Sequence, residues 1–208
     1  SLLNQMNKDG DTPLFIAAQN GRTATVRLLI SKGAPADQKN KLGESFYHQL
    51  AKSNNVTLLD EELRKQNNGF AVNSKDNNSS NIAHAAASSG SYDTVKYLKQ
   101  NAPHLFTERN AQSNTPFIVA RDLKTCQLLY DKKHFTNGDI AKAIKWSQDN
   151  KHSDVYTFLK GEHNKRCDEW QQLNYHYRST KSYIEDNNDL HKKLCDKNGL
   201  FVISYALY

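Results

Sequence analysis

Residues 10–21 read GDTPLFIAAQNG, a short apolar run enclosed by a proline and two glycines. Proline suits the first turn of a helix, where its missing N–H has no intrahelical partner, and Thr12 can cap that turn with its hydroxyl oxygen. Ala17 and Ala18 follow at helical spacing, and Gly21 ends the helix after about two turns. The segment therefore predicts a very short helix bounded by tight turns.

A second short helix is predicted immediately afterwards, over residues 23–31, with Val26 and Leu29 among its apolar residues and Gly33 as its end. Helices of this length are not stable alone in water, so each must pack on a neighbour. Ala17 and Ala18 are small enough to let two helices approach closely. A unit of two short helices and two turns therefore predicts repetition along the chain.

Four later segments repeat this unit at a spacing near 33 residues, although the segment that starts at 114 lacks the glycine between its helices. The segments are GESFYHQLAKSNN (43–55), NIAHAAASSGSYDTVKYLKQNAP (81–103), NTPFIVARDLKTCQLLYDK (114–132) and GDIAKAIKWSQDNKHSDVYTFLK (138–160). Together with the first unit they resemble the ankyrin-repeat family over residues 4–160. His48 and His84 stand where that family places a histidine, which implies hydrogen bonds to the helix cap and nearby backbone rather than catalysis or metal binding.

The resemblance implies an all-α fold, an ankyrin-repeat α-solenoid of four to five repeats with a helical C-terminal extension. The predicted repeats span residues 4–37, 38–72, 73–106, 107–133 and 134–160, and their first helices are expected to lie side by side at 13–20, 46–52, 82–88 and 116–121. Asp139 and Asp154 are expected to cap the two helices of the last repeat. Residues 161–208, with helices predicted over 162–184 and 186–199, form either a helical cap or the start of a second domain.

The same resemblance implies where a partner would bind. In the ankyrin architecture the turn before each first helix projects as a finger, and the fingers and first helices line a concave face. Side chains there are free of packing constraints and can therefore serve a partner. The expected partner-binding residues are Lys8, Asp9, Asp11, Gln19, Asn20, Lys39, Asn40, Lys41, Lys52, Lys75, Asp76, Asn77, Ser88, Ser89, Glu108, Arg109, Gln112 and Arg121.

Composition narrows the function classes. The 208 residues carry a net charge of +6, but no basic run with interleaved aromatic residues accompanies it, which disfavours nucleic-acid binding. Three cysteines far apart predict a reducing, cytoplasmic compartment, and no apolar stretch approaches the roughly 18 residues of a membrane span. No motif predicts a metal site or a cofactor.

Two cysteine–histidine pairs keep an enzymatic alternative open. Cys167 lies four residues after His163, and Cys195 four after His191, so each pair shares a helix face. A histidine beside a thiol is how cysteine enzymes activate sulfur, and His176 lies in the same region. The alternative is therefore a targeting module for a cysteine-dependent enzyme whose catalytic part begins near residue 161.

The favoured prediction is a monomeric, non-catalytic module that recognises a partner protein. The loose repeats and the unfamiliar C-terminal helices resemble, in style, ankyrin effectors that intracellular bacteria such as Legionella deliver through a type IV system, which implies a host protein as the partner and the host cytosol as the location. A eukaryotic cytosolic adaptor or a poxvirus-like ankyrin protein is the competing origin.

Overall fold

The computed structural model describes residues 2–65, 73–131 and 135–180, with side chains of the last helix as far as residue 171. Within these ranges the regular structure is helical, and the single β-bridge joins Lys39 to Ser45. The chain divides into two compact units, residues 1–129 and 130–208.

Three helix pairs build the first unit. The pairs are α1 (Pro13–Gln19) with α2 (Thr23–Ser31), α3 (Phe46–Lys52) with α4 (Val56–Lys65), and α5 (Ile82–Ser89) with α6 (Tyr92–Asn101). Short 3-10 helices at Leu2–Asn4 and Pro103–Phe106 flank them, and α7 (Leu123–Leu129) follows. The first helices α1, α3 and α5 pack side by side, and α4 packs on α6. The predicted stacking of short helices is confirmed for these three pairs.

Each first helix begins at a polar cap. The hydroxyl oxygen of Thr12 accepts the N–H of Phe15 at 3.4 Å, and the amide oxygen of Asn81 accepts the N–H groups of Ala83 and His84 at 3.0 and 3.1 Å. Such caps satisfy donors that the first helical turn leaves without intrahelical partners.

Alanines allow the first helices to pack closely. Ala18, Ala51 and Ala87 lie six residues after their respective caps and are completely buried. Larger apolar side chains, such as Leu50 and Leu58, fill the rest of the core without exposure. Because neither helix of a pair could persist alone, the apolar surface buried between pairs holds the unit together.

The helix predicted over 116–121 is wrong. Residues 116–119 form a turn, although Phe117 and Ile118 are buried as a first helix would require. The cause lies just downstream, where the Asp122 carboxylate accepts the N–H of Thr125 at 2.9 Å and starts α7 early. Too few residues then remain between Thr115 and Asp122 for two helical turns.

The second unit contains α8 (Asn137–Asp149) packed on α9 (Ser153–Thr180). The predicted cap at Asp139 is wrong, because Thr136 caps α8 and accepts the N–H of Asp139 at 3.1 Å. The Asp139 carboxylate in turn accepts the N–H of Thr136 at 3.2 Å, which makes a capping box. Asp154 lies in the first turn of α9, where its carboxylate accepts the N–H of Val155.

Helix α9 runs through the position where two separate helices were expected. No break occurs at Gly161, and Glu162 pairs with Lys165 at 2.7 Å one turn apart on the same helix. The repeat boundaries and the division at 160/161 stay predictions. The helix predicted over 186–199 lies outside the described residues.

Candidate protein-binding groove

Four fingers of one design precede the first helices and the turn at 116–119. They are finger 1 (7–11), finger 2 (40–44), finger 3 (76–80) and finger 4 (110–114), and each begins with Asn or Asp. The side-chain oxygen of that first residue accepts the N–H groups two and four residues later, at 2.7–3.1 Å in every finger. This is the asparagine or aspartate turn, which fixes the loop locally.

Backbone hydrogen bonds join each finger to the next. The N–H of Lys41 donates to the carbonyl of Asp9 at 3.0 Å, and the N–H of Asn77 donates to the carbonyl of Leu42 at 3.0 Å. The N–H of Ala111 donates in the same way to Asn78 at 2.7 Å. The four fingers therefore form one hydrogen-bonded row.

His48 and His84 anchor two fingers to the helices beneath them. The Nδ1 atom of each ring accepts the backbone N–H of its own cap, Ser45 or Asn81, at 3.2 and 3.3 Å. With Nδ1 an acceptor, Nε2 carries the proton and donates to the carbonyl of Ser80 (3.1 Å) or Asn114 (2.8 Å). The predicted structural role of these histidines is confirmed.

Burial lowers the pKa of both histidines, and the hydrogen bonds to Ser80 and Asn114 offset that shift in part. Removing an imidazole from water disfavours its charged form. Both rings are therefore neutral near pH 7, which agrees with the donor and acceptor roles given above.

A groove opens between fingers 1 and 2 and helices α1 and α3. Six of the predicted binding residues line it: Asp9, Asp11, Gln19, Asn40, Lys41 and Lys52. Phe15, Leu42, Glu44 and Gln49 complete the lining.

A buried charge network forms the floor of the groove. The Glu44 carboxylate pairs with Lys52 and accepts the side-chain N–H of Gln49 at 2.7 Å. Burial opposes ionisation of Glu44, but the charge of Lys52 and the hydrogen bonds from Lys52 and Gln49 together hold the pKa of that carboxyl below its ordinary value. The floor is therefore ionised and fixed near neutral pH.

Internal bonds separate the 18 predicted residues into two sets. Twelve of them use their side chains within the chain: Asp11, Asn20, Lys39, Asn40, Lys52, Lys75, Asp76, Asn77, Ser88, Glu108, Arg109 and Gln112. Within the described ranges, the side chains of the other six form no hydrogen bond or ion pair: Lys8, Asp9, Gln19, Lys41, Ser89 and Arg121. Three of these six, Asp9, Gln19 and Lys41, lie in the groove.

Bonded residues within and just before fingers 2 to 4 tie neighbouring fingers together. Lys39 donates to the carbonyl of Lys75 at 2.7 Å, and Lys75 in turn pairs with Glu108 at 3.0 Å. Asn77 donates to the carbonyl of Lys41 at 2.9 Å. These side chains lie at the surface, but their interactions stabilise the finger row, contrary to the expectation that finger residues are free of structural constraint.

Sequence reasoning missed four lining residues of the groove. Glu44 and Gln49 are buried polar residues, and Leu42, the middle residue of finger 2, is 65% exposed. Phe15 is three residues after its cap, where His48 and His84 stand in the later repeats, and it is 1% exposed. The pairing of Glu44 with Lys52 was not readable from the sequence. The two residues are eight positions apart and pair only because the last residue of finger 2 meets the end of α3.

The described residues give limited support to the cysteine chemistry. The Cys167 sulfur lies 3.8 Å from Nδ1 of the buried His163. The side chains of His176, His191 and Cys195 lie outside the described part. Among the side chains described, no three of His, Cys, Asp or Glu stand close enough together to hold a metal ion. In the same ranges no helix has the length and apolar character needed to cross a membrane.

Stacked helix pairs, alanine contacts and repeated fingers define an all-α ankyrin-repeat fold. A family model described as ankyrin repeats, in three copies, matches residues 1–67. Ankyrin repeats are generally modules for protein–protein interaction and are typically non-catalytic.

One curated relative is described as a transient receptor potential cation channel subfamily A member 1 homolog from Caenorhabditis elegans. It is 31% identical to this chain over 139 residues, which is 64% of this chain and 11% of the relative. The chain therefore spans about a tenth of the length of that relative.

Proposed function

We propose that the groove between fingers 1 and 2 binds a partner protein without catalysis. The observation that carries the proposal is the contrast between its floor and its rim. Glu44 and Lys52 are held in an internal pair, whereas Asp9, Gln19 and Lys41 keep their polar groups available at the surface.

The chemistry of the rim favours a polar protein surface over a phosphate backbone. Asp9 and Lys41 offer charges of both signs, and a nucleic acid would meet repulsion from Asp9. Leu42 adds an exposed apolar side chain that can anchor in a pocket of the partner. Because the finger row is already hydrogen-bonded, little backbone ordering remains to oppose binding.

A charge exchange tests the groove. The full chain, immobilised on beads, captures partners from a cell lysate, and the affinity of the main captured protein is then measured with purified components. Asp9→Lys combined with Lys41→Glu keeps the net charge, and we expect it to weaken binding by at least about tenfold. The control pair Lys32→Glu with Asp37→Lys makes the same exchange at exposed positions outside the groove.

Two results would contradict the proposal. The groove variant could bind the partner as tightly as the unchanged chain, or the control pair could weaken binding equally. Circular dichroism of both variants checks that the helices remain intact, so that a loss of binding reports the groove itself.

Two more specific predictions, a role as a bacterial effector and an enzymatic use of Cys167, remain proposals. A bacterial effector role predicts that a translocation reporter fused to this chain gives a signal inside host cells. Enzymatic use of Cys167 predicts alkylation of its thiol at mildly acidic pH, and His163→Ala should then abolish that reactivity. Ordinary thiol reactivity in both proteins would remove the enzymatic alternative for this pair.

A further inference from the structure

The α1–α2 pair carries an open face that does not overlap the groove. Thr12, Ser45, Asn81 and Thr115 occupy the same position in successive repeats, so residues at equal distances from them are equivalent. Ile16 follows its cap by four residues and is 42% exposed. The equivalent side chains, Gln49, Ala85 and Val119, are 4%, 6% and 8% exposed.

The second helices show the same difference. Thr25 is exposed, whereas its equivalents Leu58 and Thr94 are completely buried. Because Thr25 and Thr94 are the same type of residue, their surroundings cause the difference. Leu28, one turn further along α2, is 57% exposed. In the later pairs, the positions of Ile16 and Thr25 are therefore covered by a neighbour. The 3-10 helix Leu2–Asn4 contacts α1, but Ile16 stays 42% exposed, so within the described residues this cover is missing from α1 and α2.

Polar contacts identify that neighbour as the preceding helix pair. Glu61 and Tyr97 occupy the position of Leu28 in their own repeats. Glu61 binds Arg27 of the preceding pair at 2.6 Å, and the Tyr97 hydroxyl donates to Asp60 of the preceding pair at 2.6 Å. The face that carries Leu28 therefore corresponds to the face through which α4 and α6 contact the pair before them.

The finger row ends in the same way. Lys8 occupies the position of Lys41, Asn77 and Ala111, whose N–H groups donate to a carbonyl of the preceding finger. In the described ranges the N–H of Lys8 has no partner. The open face thus presents the apolar side chains of Ile16 and Leu28 together with the N–H of Lys8. Equivalent positions in the later repeats form the interface with the preceding repeat.

We propose that this face, formed by Lys8, Ile16, Thr25 and Leu28, binds a further helix pair of the same repeat type. That pair would cover Ile16 and Leu28 with apolar side chains, since Leu28 offers no charge or hydroxyl for the ties seen at Glu61 and Tyr97. Its finger would supply a carbonyl to the N–H of Lys8. The proposal is independent of partner binding in the groove, because the two surfaces share no residue.

An added repeat tests the proposal. Residues 4–36 span one period, from three residues before finger 1 to the equivalent point before finger 2, and a second copy is inserted before residue 4 of the full chain. We expect the amide of the original Lys8 to exchange with solvent at least about tenfold more slowly, because it gains a carbonyl partner. A glycine–serine segment of equal length at the same place is the control and should leave that exchange unchanged.

A substituted version keeps the test specific. Ile16→Lys with Leu28→Lys, made in the original copy, sets a positive charge opposite Arg27 of the added copy, the residue that Glu61 binds in the next pair. This variant should return Lys8 exchange in the extended chain to its unextended rate. Equal Lys8 exchange in the extended and control chains would overturn the proposal. An added copy that contributes no helical signal in circular dichroism would also overturn it, since the face would then have failed to support a helix pair.

Discussion

Asp76 is a single residue that builds a finger. Its carboxylate accepts two backbone N–H groups, from Asn78 at 2.8 Å and Ser80 at 2.7 Å. Without that oxygen both donors depend on water, and the loop loses the bonds that fix its shape. The sequence shows the position as Asn7, Asn40, Asp76 and Asn110, at spacings close to the repeat length, but polar turn clusters are so common that their role became clear only from the bonds.

Replacing Asp76 gives the first prediction. Asp76→Ala should lower the free energy of unfolding by about 1–2 kcal/mol, the usual cost of losing a side-chain acceptor for two backbone donors. Urea unfolding followed by circular dichroism measures it. Asp76→Asn retains the accepting oxygen and is the matched control, so equal destabilisation by both variants would refute the turn-building role.

The buried histidines give a second prediction, in the pH dependence of stability. Burial lowers the pKa of His48 and His84 in the folded chain, so the unfolded chain binds protons more readily. Their contribution to stability is therefore complete above the unfolded pKa of about 6.5 and falls as the pH drops from there towards the folded values.

The measurement compares unfolding free energies between pH 7.5 and 5.5. The double variant His48→Gln with His84→Gln should be less stable at pH 7.5, because it loses the bonds to Ser80 and Asn114. Its stability should also change less with pH than that of the unchanged chain. An undiminished slope in the double variant would show that these histidines do not titrate as described.

At the scale of secondary-structure elements, close contact between fingers 2 and 3 depends on Gly43. Its φ is +76°, and a Cβ atom there would lie 2.7 Å from the backbone nitrogen of Asn77. Gly33 has a similar φ of +83°, but a Cβ atom would meet nothing within 4 Å. A side chain at Gly33 would meet backbone strain alone, whereas one at Gly43 would meet both backbone strain and a clash with finger 3.

This difference gives a third prediction. Gly33→Ala should cost about 1 kcal/mol, from the left-handed backbone alone. Gly43→Ala should cost clearly more, because finger 3 must move and its bond to Leu42 must lengthen. Thermal unfolding of both variants measures the difference, and equal losses of stability would contradict close packing of the two fingers.

Much of the helix pattern was predictable because local signals and packing agree. Thr12, Ser45 and Asn81 mark helix starts, and Gly21 and Gly90 mark ends, so the first helices of the three confirmed pairs follow from the sequence. The segment after Thr115 was not predictable in the same way. Its apolar pattern fits a helix, but the early start of α7, whose first turn Asp122 caps, leaves it too short.

The groove was predictable in part. The repeat pattern predicts which surface carries the fingers, and six expected residues line the groove. The sequence could not show that Asn40 and Lys52 are already engaged, because their bonds depend on how finger 2 meets finger 1 and α3. Nor could it separate Asp9 and Lys41 from bonded neighbours of the same chemical type.

At the scale of the molecule, residues 1–129 form one compact unit in which each helix pair contacts the next. Inter-repeat polar ties accompany the apolar core, such as Asn55 to Thr23 at 2.6 Å and Ser91 to the carbonyl of Lys52 at 2.7 Å. Repeat proteins gain stability from such nearest-neighbour interfaces. A groove built by two fingers and two stacked helices therefore requires the stack to be intact.

Hydrogen exchange of the finger amides tests the continuous row of fingers most directly. The amides of Lys41, Asn77 and Ala111 should exchange at least about tenfold more slowly than that of Lys8, because each donates to the preceding finger whereas Lys8 does not. Rates corrected for local sequence, measured residue by residue on the full chain by NMR, make the comparison. If all four amides exchange at similar corrected rates, the fingers do not form a hydrogen-bonded row and the account is contradicted.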